Sequence, residues 1–256
     1  MLGSLGSVPA HVSGILDRPV DINLDSAPQR LEYERIVARI VGDAPGSILD
    51  WGTGHGQIAA ALQTRGLDVT AFDYDPDVSE PITRPLDRFP AIVSHLSSDP
   101  VALPFEDDAF DAVLSCGVLE HVADPAGSLD EIHRILRPGG TLYVYKLPNR
   151  HSYLEWIAKR LGLYYHGKLP HDTLYTLRSA VELVASHGYA VTEARLANML
   201  PLTVRGTVAD RLARPIFEGG RQLARVPALN RLATNVELVA TAVGPAGRAP
   251  GSSSRA

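Results

Sequence analysis

In Asp50-Trp51-Gly52-Thr53-Gly54-His55-Gly56, three glycines alternate with larger residues and a carboxylate stands at the entrance. Apolar Ile48-Leu49 precede the stretch and Gln57-Ile58-Ala59-Ala60-Ala61-Leu62 follow it. A bare backbone between a strand-like and a helix-like run lets amides come close to a ligand. Three ligand classes compete for it. The phosphate-cradling loop needs a Gly-Lys-Ser/Thr sequence, and none follows. The dinucleotide fingerprint finds Gly52 and Gly54 but meets Gln57 at its third glycine, and Asp50 would repel a pyrophosphate. A cationic ligand removes that conflict. S-adenosyl-L-methionine carries a sulfonium and an ammonium and no phosphate, so carboxylates favour it. Asp73 closes a second apolar run about 20 residues on, where a ribose-binding acid is expected in such folds. Capping and turn formation are the competing uses of both acids.

Methyl transfer from a sulfonium asks the protein to align two groups, exclude water and sometimes remove a proton. His121 lies just past a fourth apolar run, where a second substrate would sit, and could take a proton from a hydroxyl. Orienting the next helix is its alternative role. Downstream, Asn149, Arg150, His151, Tyr153, Tyr164, Tyr165, His166, Lys168 and His171 crowd one short region that could recognise an acceptor. His166 is the second candidate base.

These residues need elements to place them. Residues 27–42 carry apolar side chains at helical spacing. The runs Ser47–Asp50, Asp68–Asp73, Ala91–Leu96, Phe110–Cys116 and Thr141–Leu147 read as strands. Between the last two, Asp124 and Pro125 open a helix whose buried face is Leu129, Ile132, Ile135 and Leu136, stopped by Pro138-Gly139-Gly140. Pro81 and Pro85 argue against a long helix after the second strand. Residues 152–162 and 172–188 read as helices, the second capped by Asp172 and stopped by Gly188. A strand over 189–196, a basic and partly helical insert over 203–231, and a last strand over 235–243 complete the chain. The reading is an α/β, doubly wound, mostly parallel Rossmann-like sheet with a final antiparallel strand and a helical C-terminal insert. Its boundaries are a flexible extension over 1–26, a domain over 27–243 with substrate-side elements at 148–188 and 200–234, and a disordered tail over 244–256.

Composition narrows the classes. The chain has 256 residues, one cysteine (Cys116) and a net charge of −5. No apolar run reaches the ~20 residues of a membrane span, and the N-terminus lacks a signal-peptide pattern, so cytoplasm is the expectation. Residues 1–145 hold nine basic and 22 acidic side chains (net −13), whereas residues 146–256 hold 15 and seven (net +8). That split suggests differently charged partners, and drift of surface charge is the plain alternative.

Ile48–Gly56, Val69–Pro76, Asp99–Pro125 and Glu131–Asn149 resemble the class I S-adenosylmethionine-dependent methyltransferases, of the small-molecule, methyltransferase-11-like kind. The resemblance covers about residues 30–195. It implies that Asp50, Gly52, Thr53 and Gly54 hold the methionine end of S-adenosyl-L-methionine and Asp73 the ribose. Tyr74, Asp99 and Pro100 would lie on the adenine side, and Cys116 and Gly117 would line the methyl channel. Related quinone methyltransferases have a glutamate at the position of Gly117, so no metal is expected here. The implied activity is methyl transfer to an oxygen of a small-molecule or a glycan- or lipid-linked acceptor. The alternatives are an NAD(P)-dependent oxidoreductase or a non-catalytic cofactor-binding homologue. The acceptor is expected to be anionic or lipid-linked. No nucleic acid is expected, while a peripheral membrane contact through 203–231 and a homodimer are further expectations.

Overall fold

Alternating apolar residues form strands because they can feed two layers at once. In Phe110–Cys116, Ala112 and Leu114 point into one cluster and Val113 into the other. A computed structural model of the chain describes residues 26–54, 56–74, 92–163 and 171–243. The elements are α1 (Ala27–Asp43), β1 (Ser47–Trp51), α2 (Gln57–Gln63), β2 (Asp68–Tyr74), β3 (Val93–Ser97), β4 (Phe110–Cys116), α3 (Pro125–Ile135), β5 (Leu136–Pro148), α4 (Tyr153–Arg160), α5 (Leu177–Ser186), β6 (Tyr189–Ala197), α6 (Thr207–Arg211), α7 (Ala213–Leu223), a 3-10 turn (Asn230–Leu232) and β7 (Asn235–Ala242).

The seven strands lie in the order β3-β2-β1-β4-β5-β7-β6. β7 runs antiparallel to both its neighbours, and the other pairings are parallel. The expected sheet, with an antiparallel last strand, is the one observed. Ile36, Val37 and Ile40 of α1 and Ile58 and Leu62 of α2 pack on one face against Ile48, Leu114 and Tyr143. Leu129, Ile132 and Ile135 of α3 and Val184 of α5 cover the other against Leu49, Val113 and Leu142. The chain order reverses between β1 and β4, so their carboxyl ends open the crevice where such sheets bind ligands.

Three local readings are corrected. Leu136 is extended rather than helical, and β5 starts there, so α3 ends before Pro138-Gly139-Gly140 can stop it. Asp172 does not cap α5. Thr176 does, in a reciprocal pair with Ser179, and the acid is used elsewhere. Ser26, assigned to the extension, is buried and caps α1, its side chain accepting from the Gln29 amide and donating to the Leu202 carbonyl. The prolines at 81 and 85 and the tail over 244–256 lie outside the described residues.

One buried ionic group ties the α1 face to the sheet edge. Glu32 and Glu237, both at most 2% exposed, hold Arg35 between them, and Glu237 also accepts from Arg195 at 2.6 Å. Asn198 donates to Glu32 at 3.0 Å. Burial is tolerated here because the charges are paired and hydrogen-bonded.

Candidate active site

The glycine turn is built by backbone geometry that side chains resist. Gly52, Gly54 and Gly56 have φ of 73°, 53° and 74°. The amides of Gly52 and Thr53 both donate to the Phe72 carbonyl at 2.9 Å, folding the turn onto the end of β2. The glycines differ in what they make room for. A Cβ on Gly52 would stand 2.4 Å from Val118 Cγ2, whereas one on Gly54 would meet nothing within 4 Å. Gly52 therefore admits a packing neighbour, and Gly54 keeps the face toward the crevice clear.

Both expected acids flank this turn. Asp50 is 3% exposed and its carboxylate accepts from Thr53 Oγ1 at 2.8 Å. Burial, with Asp73 nearby, pushes its pKa up to about 6 despite that hydrogen bond. Asp73, half-buried at the end of β2, accepts from the Gly54 amide at 3.1 Å and the Tyr74 amide at 2.9 Å. Tyr74 is exposed beside it.

Asp99 and Pro100 follow β3 at the same edge and are exposed. One oxygen of Asp99 accepts from the Val101 and Ala102 amides at 2.9 and 2.7 Å, which holds its pKa low. The acid thus shapes its own turn.

Cys116 ends β4 two residues past Leu114, the register partner of Asp50, and the amide of Gly117 after it donates to the Tyr145 carbonyl at 3.0 Å. Burial pushes the Cys116 thiol up to about 12, so it lines the site as a neutral group. Ser115 Oγ, 2% exposed, has no hydrogen-bond partner among the described residues.

A cationic ligand fits this set. A buried carboxylate whose ionised form is disfavoured, a turn with one clear glycine and a second acid across it suit S-adenosylmethionine. Asp50 and the turn would hold its charged methionine end, and Asp73 its ribose hydroxyls. The same acids oppose a pyrophosphate.

His121 is joined to a residue that sequence spacing could not pair with it. Its Nδ1 lies 2.8 Å from Asp172 Oδ1, whose side chain is 1% exposed, and its Nε2 lies 3.8 Å from Glu120 Oε1. The Thr173 amide donates to the Glu120 carbonyl at 2.8 Å, which locks the Asp172 segment to the turn after β4. With Nδ1–H donated to Asp172, Nε2 is the basic nitrogen. His166, Tyr164, Tyr165 and Lys168 lie outside the described residues. Asn149 and Tyr153, expected near the acceptor, are tethers instead. Asn149 Nδ2 donates to the Arg231 and Ala233 carbonyls at 2.9 and 2.7 Å, and Tyr153 OH to the Met199 carbonyl at 2.6 Å. Arg150, His151 and His171 are exposed.

Sequence reading missed Lys146, Tyr33 and Gln57. Lys146 stands at the carboxyl end of β5 with φ 61°, where the pairing with β7 slips between Val144 and Leu147. Its Nζ lies 3.5 Å from Tyr33 OH. A lysine inside the apolar run Thr141–Leu147 was the available signal.

Strand order and the acid-flanked turn together define the class I S-adenosylmethionine-dependent methyltransferases. Residues 49–144 match the family described as "Methyltransferase domain". The demethylmenaquinone methyltransferase of Renibacterium salmoninarum is 32% identical over 62% of this chain and 70% of its own. That of Thermus thermophilus is 35% identical over 51% of this chain and 53% of its own, so the chain spans about half of that relative's length. In the solved structures, the 1,6-didemethyltoxoflavin-N1-methyltransferase of Burkholderia thailandensis, with 1,6-didemethyltoxoflavin and S-adenosylhomocysteine bound, superimposes with a TM-score of 0.56 at 18% identity. That likeness covers 94% of this chain and 93% of the other. The chain belongs to the S-adenosylmethionine-dependent methyltransferase family. Among the described residues no helix is long and apolar enough to cross a membrane, and no group of three or more His, Cys, Asp or Glu is placed to hold a metal ion.

Proposed function

We propose that the chain transfers a methyl group from S-adenosylmethionine to an oxygen of a small-molecule or a glycan- or lipid-linked acceptor, with His121 as general base. The observation that carries the choice of oxygen is the His121–Asp172 contact of 2.8 Å beside the crevice. Asp172 fixes the ring and leaves Nε2 to take the hydroxyl proton as the acceptor oxygen bonds to the methyl carbon. S-adenosylmethionine supplies the electrophilic methyl and a neutral leaving group. Asp50, Gly52, Thr53, Gly54 and Asp73 bind it, with Tyr74, Asp99, Pro100, Cys116 and Gly117 around them, and His166 is retained as a second candidate base.

An anionic or membrane-presented acceptor suits the C-terminal half. A groove of about 340 Å³ is lined by Arg35, Arg195, Arg221 and Arg225 with Glu237 and Asn198. Burial and the three neighbouring arginines push the Arg221 pKa down, so like charges converge there. Val208, Leu212, Leu223, Val226, Leu229 and Leu232 of the insert are exposed large apolar side chains among these arginines. That mixture is how a protein meets an anionic lipid surface.

The test is turnover with labelled methyl donor on fractionated extracts, followed by His121→Gln and Asp172→Asn on the acceptor recovered. Both should lower kcat by roughly 10²-fold or more. Unchanged kcat in both variants would end the case for a base at this position.

A further inference from the structure

The base and the cofactor residues leave one enclosed cation unused. Lys146 lies deep at the end of β5, next to the strand end that carries Cys116 and Gly117. A left-handed φ of 61° is uncommon for a lysine and is kept only where the surroundings impose it. Its ammonium has three N–H donors, and the protein partner seen for them is Tyr33 OH at 3.5 Å, with Nζ 5.2 Å from the centre of that ring. No carboxylate among the described residues forms an ion pair with it. Burial opposes its charge, and the nearby Glu120 carboxylate favours it.

Tyr33 completes the arrangement. The Lys146 ammonium lies 3.5 Å from its oxygen, and burial pushes the phenol's pKa up. An ammonium cannot accept, so the phenol's own O–H must donate elsewhere than to Lys146. Gln57 Oε1 is buried with no partner among the described residues. Two donors, one of them a full positive charge, therefore converge from β5 and α1 at the edge where methyl transfer is placed. A buried donor without a partner is costly, and an anionic oxygen is the group that satisfies both at once.

We propose that Lys146 and Tyr33 form an oxyanion-binding subsite for the acceptor, so that the substrate presents a carboxylate or an acidic phenol or enol beside the methyl donor. This rests on the reading that the acceptor docks at the carboxyl edge near His121. It adds a substrate class: the subsite lowers the acceptor's own pKa, and the proton it loses goes to His121 or to water. Transfer then forms the bond from that oxygen to carbon as the carbon–sulfur bond breaks.

The test uses simple anions, so it needs no knowledge of the acceptor and no turnover. With S-adenosylhomocysteine bound, the protein is titrated with benzoate and benzamide, and with 4-nitrophenol, whose phenolate is read by its visible absorbance. The expected result is binding of benzoate at least about tenfold tighter than benzamide, or a fall of about one pH unit in the half-point of bound 4-nitrophenol. The first outcome identifies a carboxylate acceptor and the second a phenol or enol. Lys146→Met should abolish both effects, Lys146→Arg should keep part of them, and Tyr33→Phe should weaken them several-fold. Affinity for S-adenosylhomocysteine should stay unchanged in all three. If wild-type protein does not prefer the anion over its neutral partner, the subsite is wrong whether or not the variants fold. If Lys146→Met loses S-adenosylhomocysteine instead, the lysine serves the cofactor's own carboxylate and the proposal falls. Intact S-adenosylhomocysteine binding with no anion preference leaves the methyltransferase reading standing alone.

Discussion

Asp50 concentrates the account in one residue. Buried at the end of β1 with a pKa of about 6, it is a carboxyl whose ionised form burial disfavours and a cation would favour. The folded state binds its proton more tightly than the unfolded chain, so this group's contribution to stability is present at low pH and is lost as pH rises through about 6. The ligand wants the opposite protonation state. The affinity for S-adenosylmethionine should therefore be nearly flat above pH 7 and fall by up to about tenfold per unit below pH 6, a slope read by calorimetry. Asp50→Asn should raise the melting temperature of the unliganded protein at pH 7 by a few degrees and weaken the cofactor roughly tenfold or more. Loss of both stability and affinity would make Asp50 a structural residue. This acid was legible because a carboxylate beside a glycine turn conflicts with phosphate. Asp172 was not, since its partner His121 is 51 residues away and Asp-to-helix spacing offered a simpler use.

At the scale of elements, the turn after β1 depends on Gly52 more than on Gly54. Gly52→Ala combines a positive φ with a Cβ 2.4 Å from Val118, which should cost about 1–3 kcal/mol, measured by denaturant unfolding. Gly54→Ala meets no protein atom within 4 Å and should cost less stability while weakening cofactor. β1, β2, β4 and β7 were readable because burial gives each a short run built around apolar residues such as Ile48-Leu49, Ala71-Phe72, Ala112-Val113-Leu114 and Leu238-Val239-Ala240. The early start of β5 was not, because Pro138-Gly139-Gly140 reads as a stop when its pairing with β4 is unseen; Gly140 must stay bare beside Arg137 and Asp111 carbonyls at 2.9 and 3.1 Å. Lys146 was passed over for the same reason: periodicity in a strand does not show where a pairing slip will turn a side chain inward. The insert has its own test. Sedimentation with vesicles should show binding to anionic and not to neutral lipid, weakened over ~50–300 mM salt and by Arg211→Gln with Arg214→Gln. Equal binding to both lipids, or none, would leave 203–231 as a cover for the sheet edge.

Across the whole molecule, an acidic cofactor-binding half and a basic C-terminal half meet at the carboxyl edge of one sheet. The buried Glu32–Arg35–Glu237 group ties α1 to β7 near that meeting point, a link hidden from sequence because charged residues read as surface. Glu237→Ala should cost about 1–3 kcal/mol, since it removes a buried acceptor while Arg35 keeps Glu32 and Arg195 stays half-exposed, and thermal unfolding would show it. The most direct measurement of the central claim is equilibrium binding of S-adenosylhomocysteine and NAD to wild type, Asp50→Asn and Asp73→Ala. S-adenosylhomocysteine should bind one to one, Asp73→Ala should weaken it by roughly 1–3 kcal/mol by unpairing the ribose hydroxyls, and NAD should not compete. Binding of NAD in preference, or an S-adenosylhomocysteine affinity unmoved by either substitution, would contradict it.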